Sequence, residues 1–129
     1  MLTNCEIHHV AIICSNYERS KAFYTETLGF EVIEETYRAE RHSYKLDLKV
    51  GRNAQIELFS FPSPPTRVSR PEACGLRHLA FQVEDVERVH SSLKEKGIVV
   101  EEIRIDEITD KKFFFFADPD DLPLEVYQR

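Results

Sequence analysis

His8 to Arg19 reads HHVAIICSNYER, and Arg77 to Arg88 reads RHLAFQVEDVER. Laid over one another, the two stretches place His9 on His78, Ala11 on Ala80, Glu18 on Glu87 and Arg19 on Arg88. His9 and His78 stand 69 residues apart; farther along, the runs IEL and LEV place Glu57 on Glu125, 68 residues apart. Four identities in twelve positions would be weak alone. Two offsets that agree within one residue make an internal duplication the better explanation, and a duplicated unit constrains the whole architecture.

Working outward, Ile7 to Cys14 is a mostly apolar, β-branched run that suits a buried strand. Ser15-x-x-Glu18 has the spacing of a capping box, and Gly29 is placed to close a helix from about Asn16 to Leu28. Phe30 to Tyr37, Tyr44 to Val50 and Gln55 to Phe61 read as three further strands. PSPPTRVSRPEACG, from Pro62 to Gly75, holds too many prolines for a helix interior or a central strand and reads as a linker or active-site loop. The order then recurs. Leu76 to Val83 is strand-like, Asp85 can cap a helix carrying Val86, Val89 and Leu93, and Gly97 ends it. Ile98 to Ile105, Lys112 to Ala117 and Leu122 to Tyr127 complete the set, the last two joined by an Asp118-Pro119-Asp120-Asp121 turn. The expectation is an α+β chain of two βαβββ modules forming one domain over residues 1–129: module 1 about 6–61, the Pro-rich loop 62–75, module 2 about 76–128.

With 42% hydrophobic and 31% charged residues the chain has the composition of a folded protein. A net charge of -6 has the wrong sign for counterion-release binding to nucleic acid. No apolar run approaches the roughly 20 residues of a membrane span, and the N-terminus lacks a basic region followed by an apolar one, so the cytoplasm is the expected location. Cys5, Cys14 and Cys74 are odd in number and not spaced as C-x-x-C; they read as free thiols rather than a disulfide framework or zinc ribbon.

The duplicated positions carry the chemistry. A histidine in a first strand and a glutamate between apolar neighbours in a last strand each sit where exposure is not automatic. Alternation puts His9 with Ile7 and Ala11 and sends His8 to the other face, so the two adjacent histidines cannot both enter one site. Glu57, between Ile56 and Leu58, and Glu125, between Leu124 and Val126, point away from neighbours that pack beneath the sheet, and two such anions need a cation. Two imidazoles and two carboxylates form an N2O2 set suited to Zn, Ni, Co, Mn or Fe(II), with open positions for substrate. Arg67, Arg70 and Arg77 cluster at the Pro-rich loop and could hold a substrate carboxylate or phosphate. Phe113 to Phe116 put two rings on each sheet face, one pair free to line a pocket; His90 reads as a half-buried helix residue.

The HHVAI start, the Ser20, Phe23, Tyr24, Leu28, Gly29, Phe30 pattern at the helix end, the IEL strand, Gly75 with His78 before LAF, and the closing DPDDLPLE resemble the vicinal oxygen chelate superfamily. The resemblance runs from about Ile7 to Tyr127, with glyoxalase I the nearest functional type. It implies paired βαβββ modules in a cupped mixed sheet around one divalent metal per site, a small-molecule substrate and, commonly, a homodimer. The ligand places of glyoxalase I hold His9, Glu57, His78 and Glu125. The implied activity is that of a lyase or isomerase acting through a metal-stabilised enediolate, with Glu125 or Glu57 as catalytic base. Extradiol dioxygenases, resistance proteins and metal-binding modules without catalysis are the alternatives within the superfamily. Where bacterial glyoxalase I carries an Arg and an Asn that hold glutathione, this chain has Ile13 and Phe61, which points to a smaller, less polar substrate. Asp121 stands where the closing turn usually has Gly.

Overall fold

Residues 1–129 are described by a computed structural model, and their contacts divide the chain into two units, Met1–Thr66 and Arg67–Arg129. In the first, β1 (His9–Cys14) leads into α1 (Tyr17–Ala22), one π-helical turn (Phe23–Thr27), then β2 (Glu31–Arg38), β3 (Ser43–Val50) and β4 (Ala54–Ser60). The sheet order is β1-β4-β3-β2, with β1 parallel to β4 and the remaining pairs antiparallel. Strand alternation sorts the side chains. Ile12, Cys14, Leu46, Leu48, Ile56 and Leu58 are buried with Tyr17, Ser20, Phe23 and Tyr24 of the helix, while His9, Asp47 and Glu57 belong to the other face. Asn16, rather than Ser15, caps α1: its side chain accepts from the Arg19 amide at 3.1 Å.

α1 is tied to β2 by a polar cluster. The Tyr17 hydroxyl donates to Glu35, and Lys21 Nζ donates to the same Oε2 at 2.7 Å. Burial, reinforced by the Glu35 hydrogen bond and charge, pushes the Tyr17 phenol well above its ordinary value; the Glu35 bond pushes Lys21 up, and the Lys21 and Tyr17 bonds hold Glu35 down. A raised folded-state pKa stabilises below the unfolded value and loses that contribution as pH rises. Wild-type unfolding midpoints should therefore fall as pH climbs past about 10, where the unfolded tyrosine ionises. Urea melts of wild type and Tyr17→Phe at successive pH values check this: the variant should show a shallower alkaline decline. On the acid side Glu35 contributes above the ordinary carboxylate range and loses its contribution as pH falls through it.

The second unit repeats the order: β5 (Leu79–Val83), α2 (Val86–Glu95), β6 (Arg104–Ile105), β7 (Lys112–Ala117) and β8 (Pro123–Gln128), arranged β5-β8-β7-β6 with β5 parallel to β8. Asp85 caps α2 by accepting from the Arg88 amide at 2.9 Å, as its position predicts. Phe114, Phe116, Leu124 and Val126 are buried with Val86 and Leu93; Phe113 and Phe115 take the other face, opposite Tyr127 and Glu125. His90 is half-buried on α2, its Nε2 donating to the Glu101 carbonyl at 2.9 Å.

Two further sequence expectations need correction. The strand expected over Ile98 to Ile105 shrinks to Arg104–Ile105, because the Glu101 side chain accepts the Phe115 amide at 2.8 Å where a neighbouring strand would offer a carbonyl. β5 begins at Leu79, so His78 immediately precedes the strand rather than lying within it. No helix is long and apolar enough to cross a membrane.

Candidate metal centre

The parallel register of β1 and β4 sets Ala11 opposite Glu57 and His9 opposite Gln55. This brings His9 Nδ1 within 3.3 Å of Glu57 Oε2 on the face away from the helix. The neighbouring antiparallel pair adds Asp47 opposite Glu57, and Lys45 Nζ reaches Asp47 at 2.6 Å and Glu57 at 3.8 Å. The Asp47 hydrogen bond, with the charges of Asp47, Glu57 and Glu34, raises the Lys45 pKa against the opposing effect of burial, so Lys45 is a standing cation beside Glu57.

His8 touches His9. It immediately precedes β1, its carbonyl accepting the Gln55 amide at 2.9 Å, and its Nδ1 lies 2.8 Å from His9 Nδ1. Lys45 went unmarked in the sequence; its place beside Glu57 depends on the register of β3 against β4.

In the second unit β5 and β8 set Ala80 opposite Glu125, and His78 Nε2 lies 3.0 Å from Glu125 Oε2. The His78 ring stands edge-on to Phe115 with centroids 5.0 Å apart, and Arg77 Nη1 lies 3.3 Å from His78 Nδ1. Glu125 is buried to 9% exposure with His78 as its ion-pair partner. A carboxylate so withdrawn from water, facing only an imidazole, is short of positive charge.

The four residues gather as two pairs, His9 with Glu57 and His78 with Glu125. No group of three or more His, Cys, Asp or Glu side chains assembles. Each pair has the dimensions a metal asks for: two ligands bonded at about 2.1 Å and adjacent in a tetrahedral or octahedral shell lie roughly 3.0–3.4 Å apart, against 3.0 and 3.3 Å here. Neutral imidazole and carboxylate are also the donor types that borderline divalent ions take. The residues fit the group. All three cysteines are free; Cys14 is buried with its Sγ 3.3 Å from the Phe59 carbonyl, and Cys5 and Cys74 are exposed.

The arginines of the Pro-rich loop divide. Arg67 is committed to the backbone, donating from Nη2 to the carbonyls of Leu76 at 2.8 Å and Arg77 at 2.9 Å and from Nε to Ser69. It holds the loop and leaves no fork for a ligand. Arg77 pairs with Glu72 at 3.0 Å. Arg70 joins Ser69, Arg77, Arg104 and Phe115 in lining a cleft of ≈ 610 Å³ in the second unit.

The model of the Glyoxalase/Bleomycin resistance protein/Dioxygenase superfamily matches residues 6–126. The chain belongs to this superfamily. It is 62% identical over 123 residues to the protein YwkD of Bacillus subtilis (strain 168), covering 95% of this chain and 96% of that one. It is 52% identical over 129 residues to YaeR of Escherichia coli (strain K12), covering both chains completely. Among solved structures it is similar to a glyoxalase family protein from Enterococcus faecalis, with a TM-score of 0.90 and 53% identity over 98% of this chain and 99% of that one. The superfamily's two mixed four-stranded sheets and two helices are those described above. Its closing turn is kept here without glycine: Asp121 adopts φ +64, while buried Asp118 accepts the amides of Asp120 at 2.8 Å and Leu122 at 2.9 Å through one carboxylate oxygen. Aspartate is among the residues that tolerate the left-handed region best after glycine.

Proposed function

We propose that the chain is a divalent-metal-dependent lyase or isomerase of the glyoxalase I type, acting on a small substrate with two vicinal oxygens. The observation that carries this reading is the duplicated pair: one imidazole and one carboxylate at ligand spacing, at matching places of two repeated units. His9, Glu57, His78 and Glu125 would together hold one ion, whether zinc, nickel, cobalt, manganese or iron(II). Such an ion supplies Lewis acidity that makes a substrate α-proton easier to remove.

The chain supplies the rest. Glu57 lies 3.8 Å from Lys45 Nζ, a contact that helps to hold its side chain in place. Glu125 has no lysine or arginine paired with it, and is the carboxylate we assign to take the α-proton at an Oε atom. The Phe115 ring, at the strand position opposite Glu125, packs edge-on against His78 and supports the imidazole beside that carboxylate. We also infer a homodimer. β2 is an edge strand with Val32, Ile33 and Tyr37 between 42% and 51% exposed, and apolar edges of this kind call for cover.

The test follows α-proton exchange of small α-hydroxycarbonyls, such as dihydroxyacetone and hydroxypyruvate, into deuterated water by NMR. Protein loaded with nickel or zinc should catalyse exchange and chelator-treated protein should not. Exchange that is indifferent to chelation would count against the proposal.

A further inference from the structure

Each unit lays an arginine across two aromatic rings on the sheet face that carries its His–Glu pair. In the second, Arg104 Cζ lies 4.7 Å from the Phe113 ring centre and 5.8 Å from that of Phe115. In the first, Arg38 Cζ lies 4.8 Å from Phe59 and 5.7 Å from Phe61. The settings are closely alike, and their partners differ. Arg104 meets an acid from its own chain: Nε and Nη2 donate to Glu101 Oε1 at 3.1 and 2.9 Å. The same edge of Arg38 meets no acid. Its Nη2 donates to the Ser43 hydroxyl at 2.9 Å, and its Nε is buried with no acceptor.

Buried guanidinium donors are ordinarily satisfied, and arginine's planar fork suits carboxylate and phosphate above other partners. The second unit's platform, built on β7 rather than on the counterpart of β4, shows a like-stacked arginine completed by an acid, which is what Arg38 lacks. Lys45 on the same face does not offer a rival anion site, since it is already bound to Asp47 and faces Glu57. Phe59 follows Glu57 by two residues on β4, which places the Arg38 platform about 7 Å along the strand from the glutamate.

We propose that Arg38, held on Phe59 and Phe61, is an anion subsite that binds a carboxylate or phosphate group of the substrate. This rests on the reading of His9 and Glu57 as part of the reacting centre, and it narrows the substrate to a small vicinal-oxygen compound with one anionic group a few bonds from the chelating oxygens. Phe61 acquires a role in the same way, since a ring at that place supports a guanidinium, where an amide would bind a ligand directly.

The test uses the metal-free, 15N-labelled full chain, and follows the arginine Nε–H resonances during titration with inorganic phosphate and, separately, with malonate. The Arg38 resonance, assigned by its absence from Arg38→Lys, should move saturably with at least one of the two. Arg38→Lys, which keeps the charge and loses the fork, should bind that anion about tenfold more weakly with an unchanged melting temperature. The tighter-binding anion names the group, phosphate or carboxylate. No movement of the Arg38 resonance with either anion would overturn the proposal, as would equal affinity in Arg38→Lys. Because the titration contains no metal, a failure of the metal reading leaves this readout intact, and the reverse also holds.

Discussion

Glu57→Gln and Glu125→Gln should each nearly abolish the rise in melting temperature that divalent metal gives the wild-type protein. An ion that binds only the native state stabilises by RT ln(1 + [L]/Kd), which is about 2.7 kcal/mol at a hundredfold excess over Kd. For a chain of this length that corresponds to roughly 8–12 °C. Removing a ligand carboxylate takes away both a bond and the charge that balances the ion, and should cost more than the about 10- to 100-fold that follows loss of an outer hydrogen-bond partner. At the same metal concentration a hundredfold weaker site gains only about 0.4 kcal/mol, a shift of one or two degrees. His9→Gln and His78→Gln should behave alike, since each pair would supply half of the proposed set. Scanning calorimetry with nickel and zinc decides the matter. If variants in only one pair lose the shift, the four residues do not hold one ion; if none does, the site is not a metal site.

The second large effect concerns glutathione. On nickel- or zinc-loaded protein, kcat/KM for methylglyoxal with glutathione should stay below the ordinary enzyme range of about 10⁴ M⁻¹s⁻¹. Ile13 and Phe61 occupy the places where bacterial glyoxalase I holds the tripeptide with an arginine and an asparagine. Ile13 is 55% exposed, on the same face of β1 as His9, and offers a polar ligand nothing. Phe61 is stacked with Phe59, centroids 6.0 Å apart, beneath Arg38. Each lost hydrogen bond to a charged group costs roughly 1.5–3 kcal/mol, so two such losses lower transition-state binding by about a hundredfold or more. Arg67 offers no compensation, because its guanidinium is spent on the carbonyls of Leu76 and Arg77. Steady-state kinetics at or above that range would reinstate glutathione as the cosubstrate.

How much the sequence disclosed depended on the reach of each signal. Asp85 as a cap, Gly29 and Gly97 at φ +79 and +81, and β7 over Lys112–Ala117 are local matters of propensity and turn chemistry, and all stand as read. So does the division of Phe113 to Phe116 between two faces, because a strand's period is two. Signals that depend on a distant partner were silent. Arg38 gains its meaning from Ser43, Phe59 and Phe61, and Glu101 removes a strand by offering a side chain where a carbonyl belonged; neither is visible until strands are paired. The His–Glu pairings were legible as a repeat because duplication writes the same long-range contact twice.

The π-helical turn in the first unit accounts for a small discrepancy in the duplication. From the capping Asn16 to Gly29 there are thirteen steps along the chain; from the capping Asp85 to Gly97 there are twelve. The additional residue falls within the segment where Leu28 donates back to the Phe23 carbonyl, five residues earlier, at 2.9 Å. A wider turn lets a helix swallow one inserted residue without displacing the strands beyond it. The offset between the units accordingly drops from 69 at the histidines to 68 at the closing glycines, and is still 68 at the glutamates. The two units thus differ by one residue accommodated at the π-helical turn, which leaves the downstream strands in phase and each histidine within reach of its glutamate.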